Sequence, residues 1–317
     1  MKKFCTYDEL IGILRKRNLK IEDKKSLEES LKSIGYYNLI NGYSDIFQSK
    51  DDIYEKEVTD TNILCLYNFD KVLRNIVYKY ALIIESKVKS IIGHIFSQYH
   101  GVDHRNYLKR ECFDKDAAKN ERIEKLIKIL QNKIRAGRYD PDKSRACIVH
   151  YIKKHEIIPL WVMFRILTFG EVNKFYSCMT LDEKTQVAGT FNVKPANLEV
   201  MLKMLVKYRN IVAHDERIYC AQINRDLLPS GLRIYDEICV LRNKQGIPLV
   251  GRNDFLALLI IFKYLLPQTE FDNLWREFMV AFETLRNKLK PHHFGRVVNK
   301  MRLKNNWRKV KGFADSQ

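Results

Sequence analysis

Apolar residues recur every three or four positions along most of this chain, the spacing of one face of a helix. The longest such run covers 61–99, where Ile63, Leu66, Leu73, Val77, Ala81, Ile84, Val88, Ile91 and Ile95 keep the period with no proline and one late glycine. Unbroken, it would be about 58 Å long at 1.5 Å per residue, so a kink or break is expected near 68–70, where Asp70 enters the apolar stripe. The same pattern predicts helices over 8–17, 23–33, 121–136, 161–169, 171–179, 181–191, 195–212, 254–266 and 269–290. Acidic residues open the first two, Pro195 opens the 195–212 helix, and Gly170 separates 161–169 from 171–179.

Between the helices the texture changes. Residues 35–43, rich in tyrosine and bearing Gly35 and Gly42, read as a turn or short helix whose aromatics seat it on the rest. Residues 101–120 and 138–142 read as polar connections. Residues 237–241 and 247–250 flank the turn-like 243–246, which allows one small hairpin with Pro248 on an edge arm. Nothing alternates as a parallel-sheet protein does. The fold expected is all-α: an N-terminal helical subdomain over 1–58, a helical core over 59–225 and a C-terminal accessory helical module over 226–317.

Composition narrows the setting. The 317 residues are 46% hydrophobic, which argues for a folded core rather than disorder. No apolar run reaches the roughly 18 residues of a membrane span, and charges follow Phe4 too soon for a secretory signal. Seven cysteines, at 5, 65, 112, 147, 178, 220 and 239, form no Cys-x-x-Cys pair. They suggest reduced thiols, and with them the cytoplasm.

The formal net charge of +18 favours a polyanionic partner. Cations crowd the C-terminal end, where Arg286, Lys288, Lys290, Arg296, Lys300, Arg302, Lys304, Arg308 and Lys309 lie among Phe294, Trp307 and Phe313. Cations with interleaved aromatics suit RNA, phosphate and base together, and Trp307 is the candidate stacking platform.

The chemistry concentrates in Arg209-Asn210-Ile211-Val212-Ala213-His214, at the end of the 195–212 helix. Asn210 and His214 are four apart and share a face, with Arg209 beside them. Arg209 also interrupts the apolar stripe of Leu198, Leu202, Leu205 and Val212, so it must find a carboxylate or lie at a seam. Guanidinium can neutralise a phosphodiester, and imidazole can move a proton near neutral pH without a metal. The competing reading is structural: an Arg–carboxylate pair with His214 as a C-terminal cap. The stretch Arg286-Asn287-Lys288-Leu289-Lys290-Pro291-His292 imitates this motif, but Pro291 should end its helix before the imidazole. The histidines at 94, 100, 104, 150 and 155 have no cysteine or carboxylate grouping at a known ligand spacing. No Walker loop, Gly-x-Ser-x-Gly elbow or His-Glu-x-x-His is present. Neither a metal nor another cofactor is expected.

Arginine, asparagine and histidine at this spacing resemble the signature of the HEPN superfamily, helical domains that include many metal-independent RNases. The chain also resembles its Abi-like (AbiD/AbiF) abortive-infection branch. That resemblance rests on Ile34-Gly35-Tyr36-Tyr37-Asn38-Leu39-Ile40-Asn41-Gly42-Tyr43, on Pro159-Leu160-Trp161-Val162 with Leu167-Thr168-Phe169-Gly170, and on the motif itself, over roughly residues 5 to 225.

The resemblance implies a HEPN-type bundle and an endoribonuclease of antiphage abortive infection or of a toxin–antitoxin pair. Arg209, Asn210 and His214 would be its catalytic residues. It further implies that Glu85, or failing that Asp70, pairs with Arg209, and that two copies share one site. It allows a non-coding RNA that restrains the toxin. The alternative is a non-catalytic RNA-binding protein using the same groove. One departure is that Asp215 and Glu216 follow His214, where some HEPN toxins carry a modifiable tyrosine two residues on; the nearest here is Tyr219.

Overall fold

The computed structural model describes residues 4–50, 52–139, 146–303 and 306–313. Two helices open the chain, α1 (Tyr7–Lys16) and α2 (Lys24–Ile34), capped by Thr6 and Asp23. Gly35, at φ 88°, closes α2 and leads into a single π-helical turn over Tyr37–Asn41. An antiparallel hairpin follows, β1 (Gln48–Lys50) and β2 (Ile53–Tyr54).

The long periodic run is one helix, α3 (Asp60–His100), begun by a Thr59–Asn62 capping box and ended at Gly101. The break expected at 68–70 is absent. Asp70 stays on the buried face because Arg74, one turn later, pairs with it at 2.6 Å, so the helix has no buried charge to expel. Short helices then wrap the far end: α4 (His104–Tyr107), α5 (Asn120–Tyr139), α6 (Ala146–His155), α7 (Leu160–Met163), α8 (Phe169–Cys178) and α9 (Leu181–Gly189). The helix expected over 161–169 is only α7. Thr168 instead caps α8 through a box with Glu171, which draws Gly170 into the first turn.

The motif helix is α10 (Pro195–Ala213), packed along α3 and α8. After α11 (Ile234–Glu237) come α12 (Phe255–Leu265), α13 (Gln268–Lys288) and α14 (Pro291–Lys300), with α13 lying along α3. A 3₁₀ turn, Trp307–Gly312, packs on α12. One apolar core extends from Ile11 to Phe313. The architecture is all-α with one small hairpin, though not where the sequence suggested. In 237–250 the pairing shrinks to a bridge between Arg242 and Pro248. The Asn243 side chain accepts from the backbone N–H groups of Gln245 and Ile247, both at 2.9 Å, and so tightens the turn, leaving two backbone bonds across the arms, Asn243 N–H to Ile247 O and Leu249 N–H to Leu241 O, each at 2.9 Å.

Candidate functional site

Helix α10 presents its last turn to solvent. Asn210 and His214 are exposed and Arg209 is half-buried, so the three side chains lie at the surface. Arg209 meets no carboxylate among the described residues. Its Nη1 reaches Asn210 Oδ1 at 3.4 Å, its guanidinium lies 5.8 Å from the centre of the Tyr78 ring on α3, and its Nε is buried without a partner. The competing structural reading required an Arg209–carboxylate pair, and none is present among the described residues. His214 does cap α10 through its backbone, N–H to Asn210 O at 3.0 Å. No hydrogen bond holds its imidazole among the described residues.

Beneath this open turn sits a closed one. Asp70, fully buried, takes four donors: Arg74 Nη1 at 2.6 Å, the Tyr43 hydroxyl at 2.8 Å, and the backbone N–H groups of Ile218 and Tyr219 at 3.1 and 2.8 Å. Burial pushes the Asp70 carboxyl upward in pKa while these donors oppose the rise. Arg74, itself buried, also bonds Asp215 through Nε at 2.9 Å, and Asp215 adopts φ 58° directly after His214. The chain leaving α10 is therefore fastened to α3 and to the N-terminal tyrosine segment at once. Removing one member would strand a buried charge, a loss of about 3–5 kcal/mol.

The same arrangement opens a cleft of about 500 Å³ lined by His214, Asp215, Glu216 and Arg217 on one side and Tyr37, Asn38 and Asn41 on the other. Tyr37 is 78% exposed within it. Tyr43 and Tyr36 do pack as the sequence suggested, but Tyr37 and the two asparagines are exposed and line the same cleft as His214. The readable signals were Arg74 standing one turn after Asp70 and the two glycines bounding 35–42. Tyr219 is buried, and burial pushes its hydroxyl well up in pKa, so it offers no exposed substitute for the missing tyrosine.

The carboxylates expected to serve Arg209 serve others. Glu85 bonds Lys89 at 2.7 Å on its own helix, and Asp70 is committed to Arg74. The reason is the i,i+4 spacing: each acid has a cation one turn on, nearer than any residue of α10.

Within the C-terminal basic segment much of the charge is already matched. Arg286 and Arg308 share Glu283 at 3.2 and 2.9 Å, Arg296 bonds Glu55 at 2.6 Å and the Ile46 carbonyl at 2.8 Å, and Lys300 pairs with Asp45. Lys290 reaches the Lys56 carbonyl at 3.5 Å, and Arg302 lies near the buried Asp254, where burial raises the carboxyl and the guanidinium partly opposes the rise. Lys288 and Lys309 remain exposed without an acid partner among the described residues. Trp307 is a correction. It is 4% exposed, set among Trp275, Phe278 and Phe282, because an indole after the amphipathic α14 closes the end of the core. Lys304 and the 140–142 part of the predicted loop lie outside the described residues.

The imitation motif is not a second copy: α13 stops at Lys288, and His292 turns to Glu55 at 3.0 Å. His293 reaches the same Glu55 oxygen at 3.0 Å, so Glu55, His292 and His293 form a potential ligand trio. Arg296 already holds the other oxygen of Glu55, and a metal ion would sit against that guanidinium. With these partners Glu55 is held down to about 2. Of the histidines near α4, His100 bonds Glu183 at 2.7 Å and His104 accepts the Ile158 N–H at 3.2 Å.

A helical bundle whose motif helix ends in an open arginine, asparagine and histidine is what the resemblance to HEPN domains leads one to expect. The family model for Abi-like proteins matches residues 29–220, from α2 through the tyrosine turn and α3 to the segment just past α10. That is more than half of the chain, and the chain belongs to the Abi-like family, which associates it with abortive infection. No curated protein and no solved structure matches it. Among the described residues no helix is long and apolar enough to cross a membrane.

Proposed function

We propose that this Abi-like chain is a metal-independent endoribonuclease, acting in the cytoplasm in abortive infection or as the toxin of a toxin–antitoxin pair. His214 takes the proton of a ribose 2′-hydroxyl or returns one to the leaving 5′-oxygen, the work of a general base and acid. Arg209 stabilises charge gathering on the phosphate, and Asn210 orients that phosphate. Attack by the 2′-oxygen leaves a 2′,3′-cyclic phosphate and a 5′-hydroxyl end, so DNA is not cut.

The observation that carries this reading is a contrast: Arg209, Asn210 and His214 have no acid partner among the described residues and lie at the surface, while the buried Asp70 and Arg74 just behind them are satisfied, with Asp215 joined to Arg74. Unpaired polar groups on a rigid support are arranged for a ligand. One chain supplies one imidazole, whereas the reaction uses a base and an acid, so a second copy related by a two-fold axis completes the site.

His214→Ala tests the proposal. RNA cleavage and growth toxicity fall by about 10²- to 10⁴-fold while RNA affinity and melting temperature stay near those of the parent. Unchanged toxicity removes the nuclease reading and leaves an RNA-binding protein that docks a regulatory RNA in the same groove.

A further inference from the structure

On α5 a row of cations stands without acids. Lys128, Arg135 and Arg138 follow one another at seven and three residues, which sets them along one face of the helix. All three are exposed, and none has a carboxylate partner among the described residues. They form one wall of a groove of about 980 Å³. The other wall is α4 with Leu108 and Lys109 after it, and Lys109 is likewise exposed and unmatched. Glu124, one turn before Lys128, is the only acid among the described lining residues. Cations on facing walls repel one another, and a polyanion between them relieves that repulsion.

Between the charged rims the groove is apolar. Leu108 and Ile127 are half-buried and Ile134 is buried on its lining. A single strand can set its phosphates on the rims and lay base faces on such a floor, whereas a duplex hides its base faces in the stack. Gln131 and Asn132, exposed within the α5 row, add amide donors and acceptors for base edges or 2′-hydroxyls.

From these features we infer that the groove between α4 and α5 is a second grip on RNA, holding a single-stranded stretch outside the scissile dinucleotide by its phosphates. The inference rests on the RNA reading of Arg209 and His214 and adds where the rest of that substrate lies. The α5 wall is tied to the motif helix through α8. Lys133 of α5 pairs with Glu171 on α8 at 3.2 Å, and Gly170 beside it comes so near α10 that a Cβ there would meet Val206 Cγ1 at 3.7 Å. Val206 stands one turn before Arg209. Packed helices lie about 8–10 Å apart, and α8 packs on both α5 and α10. One phosphodiester seated on Arg209 therefore leaves the groove empty, and a longer strand reaches both.

The test is fluorescence anisotropy of the full chain carrying His214→Ala, so that RNA stays uncut, with a labelled unstructured RNA of about 20 nucleotides over a range of salt. Lys128→Ala, Arg135→Ala and Arg138→Ala together weaken binding about tenfold or more and make the plot of log affinity against log salt shallower by about 2, three phosphates at about 0.7 each. The same loss of charge on α1 and α2, Arg15→Ala, Lys16→Ala and Lys25→Ala, changes affinity by less than about threefold. Matching melting curves show that both variants fold. Equal losses in the two, no loss in the first, or an unchanged salt slope overturns the inference. Competition by polyglutamate as strong as by RNA overturns it in favour of an acidic protein partner.

Cleavage by the chain with His214 intact separates this grip from the nuclease reading. The groove variant cuts a dinucleoside monophosphate at the parent rate, and it cuts the long RNA with KM raised about tenfold and kcat unchanged. The groove effect on binding in a chain that cuts no RNA sinks the nuclease reading alone. A groove variant that binds and cuts long RNA as the parent does sinks the groove alone.

Discussion

The last turn of α10 and the C-terminal segment from Arg286 onward look alike as sequence, since both join cations to polar groups and aromatics. In the fold they are opposites. Around α14 the cations hold Glu55, Asp45 and Glu283, and the indole of Trp307 is sealed inside, so the segment works as a clasp between the two ends of the chain. At the end of α10 three polar side chains are left open above a network that satisfies itself. A count of positive charge cannot tell these apart. Whether each charge already has a partner can, because a paired cation must surrender its acid before it can take a phosphate.

The contrast is most exposed to test at Asp70. Asp70→Ala strands Arg74 and frees the chain after His214, so chemical denaturation should show a loss of about 3–5 kcal/mol; a loss below 1 kcal/mol would mean the support is not rigid. Next, Trp307→Ala should lower stability by about 3 kcal/mol with little change in RNA affinity. The reverse result, intact stability and lost affinity, would make the C-terminal segment an RNA surface after all.

Acid should loosen the clasp. The Glu55 carboxyl is held down to about 2 in the fold against an ordinary value of 4.5, so its contribution is whole above 4.5 and fades as pH falls toward 2. Burial lowers the His293 imidazole below its ordinary 6.5, so protonation below that value works in the same direction. Melting temperature followed from pH 7 downward should fall, and Glu55→Gln should flatten the part of the curve below 4.5; an unchanged curve would separate α14 from any pH dependence.

The smallest expected effect is at Tyr37, 78% exposed beside His214. Tyr37→Ala should weaken single-stranded RNA binding by about 1 kcal/mol, the value of one lost stacking partner, and leave melting unchanged. Full affinity in that variant would remove the tyrosine turn from the substrate path.

Periodicity made the helices legible, to within a residue or two at α1, α2, α12 and α13. It placed the motif helix as well. It failed where a side chain, not a period, decides the backbone. Thr168 stole the start of α8 through its capping box, Asn243 tightened the expected hairpin to a turn with a single antiparallel bridge, and Arg74 let Asp70 remain inside an unbroken α3. The pairing of Arg209 was misread for a related cause. Glu85 and Asp70 lie on the correct helix, but each already had a cation one turn away. That Tyr37 and His214 line one cleft comes from tertiary packing of residues more than 170 positions apart, which no local pattern encodes.

Because α3 is a single helix of 41 residues, the places it carries cannot drift with respect to one another. The Asp70 anchor behind the imidazole and the Glu85 carboxylate are marks on one ruler. Whatever lies over the first mark meets the second at a fixed separation. Inserting a single residue between the two marks would swing one of them by about 100° about the axis and spoil the register without touching either group.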